Sequence, residues 1–239
     1  MGKSESLVLV PGLLCDATVW REQAAALSAT LSVHIASHGA ADTLGQMAER
    51  ILDSAPPVFH LAGHSMGGRV ALEVLRRAPA RVLRLALLDT GFEALPAGDA
   101  GEREKAGRYR LLDIATREGM LAMGREWARG MVHPSRLLDT ALMDAIHQMI
   151  ARAPLVQFQN QINALLQRPD CTALLAQIRV PTLVLCGRED GWSPLARHVD
   201  MAQRISGSVL VEVPECGHMS TMEQPQAVTR ALRIWLEQP

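Results

Sequence analysis

Ser65 and a few polar groups downstream of it are the residues of this 239-residue chain whose types and spacing suit chemistry. Ser65 stands in Gly63-His64-Ser65-Met66-Gly67, a G-x-S-x-G. Before it runs Val58-Phe59-His60-Leu61-Ala62, bounded by Pro56-Pro57, which reads as a buried strand. After it, Val70, Ala71, Val74, Leu75 and Ala78 recur at helical spacing until Pro79 ends the run. A serine at the tip of so tight a strand-to-helix turn adopts strained dihedrals, so the residues two positions either side must be small. Its hydroxyl is pushed out above the sheet at the positive end of a helix, where an anionic intermediate is favoured. The pattern predicts a nucleophile.

A serine hydroxyl needs a base, and the base needs an orienting acid. The chain order expected for this elbow is serine, acid, histidine. His218, in Glu215-Cys216-Gly217-His218-Met219-Ser220, is alone among the eight histidines in following a late strand with a glycine before it. It is the expected base. The acid has two candidates. Asp190 follows the strand at Thr182 to Cys186 and precedes His218 by one helix and one strand; Asp89 follows the neighbouring strand. Asp190 is preferred, because one α-β step carries it to the loop beside His218. The oxyanion requires two backbone donors. These are expected from the N–H of Met66 and, in the loop after the first strand, of Leu13. Cys15 borders that loop and reads as packing, since no histidine pairs with it.

The elements that must hold these groups alternate. Leu7 to Val10 is a strand, Thr18 to Leu31 a helix, Val33 to Ala36 a strand and Leu44 to Leu52 a helix. The elbow and the strand Val82 to Leu88 follow. From Phe92 to about Arg179 no clean strand appears. Glu102 to Gly119, Met120 to Met131, Ser135 to Ala153 and Leu155 to Leu166 read as helices punctuated by prolines. Then come a strand (Thr182 to Cys186), a helix (Leu195 to Ile205), a strand (Val209 to Val213) and a closing helix (Pro225 to Leu236). Short apolar strands alternating with helices predict an α/β fold, a doubly wound, mostly parallel sheet. Residues 1–91 and 180–239 would form the core and 92–179 a helical cap inserted after the fourth strand, as one structural domain. Ligands collect beyond the carboxyl ends of such strands, where every candidate above lies.

Composition sets bounds. Apolar residues are 48% and charged residues 21%, ordinary for a globular domain, and the net charge of −1 argues against a nucleic-acid surface. No apolar span reaches membrane length. Cys15, Cys171, Cys186 and Cys216 show neither disulfide nor zinc spacing and are expected reduced, in the cytoplasm. Met1 to Ser6 fits a myristoylation pattern by chance. Leu7 to Cys15 is better read as a strand than as a signal segment.

These residues resemble the α/β-hydrolase superfamily over nearly the whole chain. Pro181 to Pro194 and Gly217 to Pro225 look most like its small bacterial branch of 3-oxoadipate enol-lactonases, aryl- and carboxylesterases and C–C bond hydrolases. The resemblance implies Ser65, Asp190 and His218 as the triad and Leu13 and Met66 as oxyanion donors. It also implies about six strands, because the chain starts at what would be the third strand of the full fold. Many members carry His-Gly where this chain has Pro11-Gly12; that histidine supports the oxyanion loop rather than reacting.

The leading expectation is a serine hydrolase acting on a carboxylic ester or lactone of a small, largely apolar substrate, with neither metal nor organic cofactor, and with no nucleic-acid or membrane partner. Trp192, Met120, Met123 and Trp127 are candidates to face the pocket, although apolar residues at helical spacing usually pack. A second reading keeps the triad for C–C cleavage or acyl transfer. Acidic substrates would call on a cation such as Arg108, Arg125, Arg129 or Arg152. A third reading is a non-catalytic binding module on the same scaffold, which predicts a missing triad member.

Overall fold

The computed structural model describes residues 5–238; most of the Met1 to Ser6 pattern lies outside them. Six strands form one sheet: β1 (Ser6–Val10), β2 (Ser32–Ile35), β3 (Phe59–His64), β4 (Val82–Leu88), β5 (Thr182–Gly187) and β6 (Val209–Val213). Their order is β2-β1-β3-β4-β5-β6, and every neighbouring pair is parallel. The registers pair Leu9 with Ala62 and Gly63 with Leu87. β3 and β5 are buried at every position, as strands covered on both faces must be. β6 lies at the edge and exposes Val209 and Leu210.

The connections follow from parallel pairing. Between the strands run α1 (Arg21–Leu27), α2 (Leu44–Ser54) and α3 (Met66–Arg77). Right-handed crossovers put α1 on one face and α2 and α3 on the other, and α2 packs on α3. After β4 come α4 (Asp99–Glu118), α5 (Met120–Trp127), α6 (Thr140–Arg152), α7 (Leu155–Leu166) and α8 (Thr172–Leu175). No strand occurs between β4 and β5 among the described residues, and α4, α5, α6 and α7 pack largely on one another. α9 (Leu195–Arg204) joins β5 to β6, and α10 (Ser220–Glu223) and α11 (Pro225–Leu236) close the chain, α11 against α1.

Local chemistry moved several boundaries. The helix expected over Thr18 to Leu31 begins with a tight turn at Ala17–Trp20, where Asp16 accepts from Thr18 N at 2.8 Å, and ends at Leu27. The one expected from Ser135 starts at Thr140, because Asp139 caps it by accepting from Leu142 N at 3.1 Å. α5 stops at Trp127 in a tight turn rather than running to Met131. The four-residue helices α8 and α10 are too short to leave a periodic signal.

The chain leaves β1 for the edge strand β2, then returns past β1 to β3. The loops after β1 and β3 therefore diverge. A crevice opens where they part, at the carboxyl edge of the sheet.

Candidate active site

Ser65 occupies that crevice with φ 55 and ψ −121, a conformation costly for a side-chain-bearing residue. Two close approaches enforce it. A Cβ on Gly63 would lie 2.3 Å from Gly67 O, and one on Gly67 would lie 2.1 Å from Val10 O. Backbone cannot yield at either point, so the spacing of the motif is a packing requirement. Ser65 N donates to Leu88 O at 2.9 Å, and Thr90 Oγ1 donates to Ser65 O at 2.6 Å. These bonds hold the turn from below.

Ser65 Oγ lies 2.8 Å from His218 Nε2, and His218 Nδ1 lies 2.8 Å from Asp190 Oδ2. With the proton on Nδ1 donated to Asp190, Nε2 is the acceptor for the serine hydroxyl. Asp190 Oδ1 accepts from Trp192 N at 2.8 Å and Ser193 N at 2.9 Å. Burial opposes ionisation of Asp190, but the His218 charge, its hydrogen bond and these two amides hold the carboxyl below its ordinary range. Burial likewise pulls His218 down, and the Asp190 charge and hydrogen bond prevail, raising it above its ordinary value.

Asp89, the other acid candidate, is fully buried and faces elsewhere. It accepts from Gly187 N at 2.9 Å and bonds the Ser220 hydroxyl, and its carboxylate lies 3.7 Å from His64 Nε2. Burial and then the Asp190 charge push its carboxyl well above the ordinary range. Through its bonds to Gly187 N and the Ser220 hydroxyl, Asp89 ties β5 to α10. His64 bonds His218 O at 2.8 Å. Burial and then the His218 charge lower it to about 3, so it stays neutral.

The loop carrying His218 is anchored to the helical segment. His218 N and Met219 N donate to Met131 O at 2.7 and 3.2 Å. The buried carboxylate of Glu223 accepts from Gly217 N and Met219 N, each at 3.1 Å, and from His133 N at 2.7 Å. Sequence reasoning missed Glu223; an acid flanked by the apolar Met219 and Met222 was the available signal.

Leu13 and Met66 line the cavity with Ser65 and His218. Met66 is the first residue of α3, so its N–H has no acceptor within the helix. Leu14, at φ 58, gives its N–H to Gln161 Oε1 at 2.8 Å, and Cys15 N donates to Gly12 O at 3.1 Å. His38, buried, bonds Pro11 O at 2.8 Å. A histidine from beyond β2 thus braces the loop that carries Pro11-Gly12.

The cavity above Ser65 holds about 600 Å³, within the usual range for small-molecule sites. Of the four pocket candidates, Trp127 and Trp192 line it and Met120 and Met123 do not. Met123 is fully buried among the helices, and Met120 packs half-buried against the same core. Trp192 stacks on Trp127 with centroids 5.1 Å apart and stands 5.0 Å from the His218 ring. Of the cations named from sequence, Arg108 lines the cavity, and Arg125, Arg129 and Arg152 do not. Cys15 lines it too, with a thiol pushed up to about 12 by burial and then by Asp16, so it carries no thiolate at neutral pH.

Asp89, Cys186 and Asp190 bring donor atoms within 4.8 Å of one another. Both carboxyls are committed as described, and Cys186 Sγ bonds Gly187 O at 3.0 Å with a thiol that burial raises. The group fits an internal network better than a metal centre. No helix among the described residues is long and apolar enough to cross a membrane.

A parallel α/β sheet with a serine on its elbow defines a class, and the comparisons agree. Residues 7–231 match the alpha/beta hydrolase family, and the chain belongs to that family. It is 27% identical over 237 residues to the pimeloyl-[acyl-carrier protein] methyl ester esterase of Nitrosomonas europaea, covering 94% of this chain and 93% of that one. It is 28% identical over 190 residues to a 2-hydroxy-6-oxononadienedioate/2-hydroxy-6-oxononatrienedioate hydrolase of Escherichia coli, covering 76% of this chain but only 63% of that protein, less than two thirds. Among solved structures, a thermophilic esterase from Thermogutta terrifontis superposes with TM-score 0.86 at 30% identity, over 99% of this chain and 90% of that one.

Proposed function

We propose that this chain is a serine hydrolase that cleaves a carboxylic ester or lactone of a small substrate through an acyl-enzyme on Ser65. The observation that carries the reading is the unbroken run of 2.8 Å contacts from Ser65 through His218 to Asp190, opening onto the cavity. Ser65 Oγ attacks the carbonyl carbon while His218 Nε2 takes its proton. The carbonyl oxygen gains the negative charge and is met by the N–H groups of Leu13 and Met66. As the tetrahedral centre collapses, the C–O bond to the leaving alcohol breaks, and His218 returns the proton to that oxygen. Water, deprotonated by His218, then attacks the acyl-enzyme and releases the acid and free Ser65. Asp190 holds the Nδ1–H tautomer and stabilises the imidazolium.

The helical segment between β4 and β5 acts as the cap and keeps bulk water off the acyl-enzyme. Trp127 and Trp192 give the reacting end of the substrate an apolar wall. The family match and the esterase names of two similar proteins support ester cleavage.

The test combines p-nitrophenyl esters of graded acyl length with fluorophosphonate labelling and peptide mapping. Wild type is expected to turn over at least one ester and to label on Ser65, and Ser65→Ala to lose about 10⁶-fold in kcat. An unlabelled, inert wild type would leave only the binding-module reading.

A further inference from the structure

The reaction chemistry makes no use of the cavity's charge. The lining holds six arginines against two glutamates, in a chain of formal net charge −1. Positive charge gathered in a cleft of low dielectric concentrates anions there.

Three of these arginines meet two carboxylates, and a fourth meets none. Arg168 is buried and holds both oxygens of Glu104 at 2.7 and 2.8 Å. Arg108 takes the same carboxylate at 3.0 and 2.7 Å. Arg197 lies 3.3 Å from Glu93. Arg69 is different. It is half-buried, and Nη1 donates to a backbone carbonyl, Glu93 O, at 2.7 Å. Among the described residues no carboxylate comes within 4.0 Å of it. Burial, then Arg168 and Arg197, lower its guanidinium to about 9. A guanidinium crowded by like charges and lacking a counter-ion is costly, and an incoming anion relieves that cost.

Its location ties it to the reacting serine. Arg69 lies in the first turn of α3, four residues beyond Ser65 at its N-cap, and both residues line the cavity. Its Nη2 passes over Gly91, a lining residue where a Cβ would come within 2.5 Å.

We propose that the substrate carries a carboxylate a few bonds from the carbonyl that Ser65 attacks, and that Arg69, flanked by Arg108, anchors it. Guanidinium suits this task because its planar fork matches a carboxylate. The inference rests on the serine-hydrolase reading and narrows its substrate class.

The test uses charged and neutral pairs of equal length. Mono(p-nitrophenyl) glutarate is set against p-nitrophenyl pentanoate, placing the charge on the acyl side. γ-Acetoxybutyrate is set against butyl acetate, placing it on the alcohol side. Wild type is expected to prefer the anion in at least one pair by about tenfold or more in kcat/KM. Arg69→Gln should bring that ratio close to one, and Arg69→Lys, which restores the charge without the fork, should retain part of it. Thermal unfolding checks that both variants are folded; should Arg69→Gln fail to fold, a reduced but not abolished ratio in Arg69→Lys and its fall in high salt carry the test, and a ratio unchanged in both overturns the inference. A wild type that turns over the neutral esters and prefers neither anion overturns this inference and leaves the hydrolase reading standing. A preference that survives Arg69→Gln also overturns it. Failure of every ester, with Ser65 unlabelled, removes both.

Discussion

At the scale of single residues, two buried aspartates stand close together and their environments push them apart. His218 and two amides hold the Asp190 carboxyl below its ordinary range, and burial beside Asp190 pushes the Asp89 carboxyl well above it. Replacement by asparagine therefore separates their roles. Asp190→Asn removes the charge that orients His218 and should lower kcat about 10³–10⁴-fold. Asp89→Asn leaves a neutral side chain that still accepts from Gly187 N and reaches the Ser220 hydroxyl, so kcat should stay within about tenfold of wild type. The same parents predict a pH profile. His218 must be unprotonated to act as base, and its pKa is raised above the ordinary 6.5. Activity should therefore fall, as pH is lowered, through a pKa above that value. Asp190→Asn removes the largest opposition to burial, leaving only the smaller effects of Asp89 and Glu223, and the acid limb of residual activity should move to lower pH. A kcat/KM profile on both proteins checks the direction.

At the scale of elements, Glu223 is the most informative group. Its two oxygens gather N–H groups from Gly217, Met219 and His133, joining the β6–α10 loop to the turn beyond α5. Glu223→Gln puts an NH₂ where one of those donors needs an acceptor. It should cost about 1–3 kcal/mol and lower Tm by roughly 2–4 °C for each kcal/mol. The displaced His218 should lower kcat with little change in KM. Calorimetry and steady-state kinetics test both halves. Elements were also where the sequence was most legible. Six strands, the elbow and the order Ser65, Asp190, His218 could be read because tight turns and buried parallel strands impose residue types locally. Glu223, the bracing of Pro11 by His38, and the inward turn of Arg69 could not. Each depends on a partner distant in sequence, and a glutamate or arginine on a helix carries no mark of which way it faces. Met123 was misplaced for a related reason, since a methionine at helical spacing lines a pocket or fills a core with equal ease.

At the scale of the whole molecule, the helices between β4 and β5 are sewn to the sheet at separated points. Gln161 holds the loop after β1, Arg152 grips Asp16 at 2.7 Å and Asn160 reaches Ala40 O at 2.9 Å. With so many ties, the parts should unfold together. Far-ultraviolet circular dichroism and tryptophan fluorescence, the latter reporting on the Trp127–Trp192 stack that spans the two parts and on buried Trp20 and Trp235 in the sheet portion, should give coincident denaturant transitions. Two separated transitions would mean that the helical segment comes away alone. The anchoring of the His218 loop to Met131 and His133 adds a constraint on anyone recombining such proteins. Residues 92–179 cannot be exchanged as a cassette for the sake of a new specificity. A graft would inherit a working base only if it brought a carbonyl to the place of Met131 and an amide to that of His133. The segment that lines much of the cavity also positions His218, and the two would have to be inherited together.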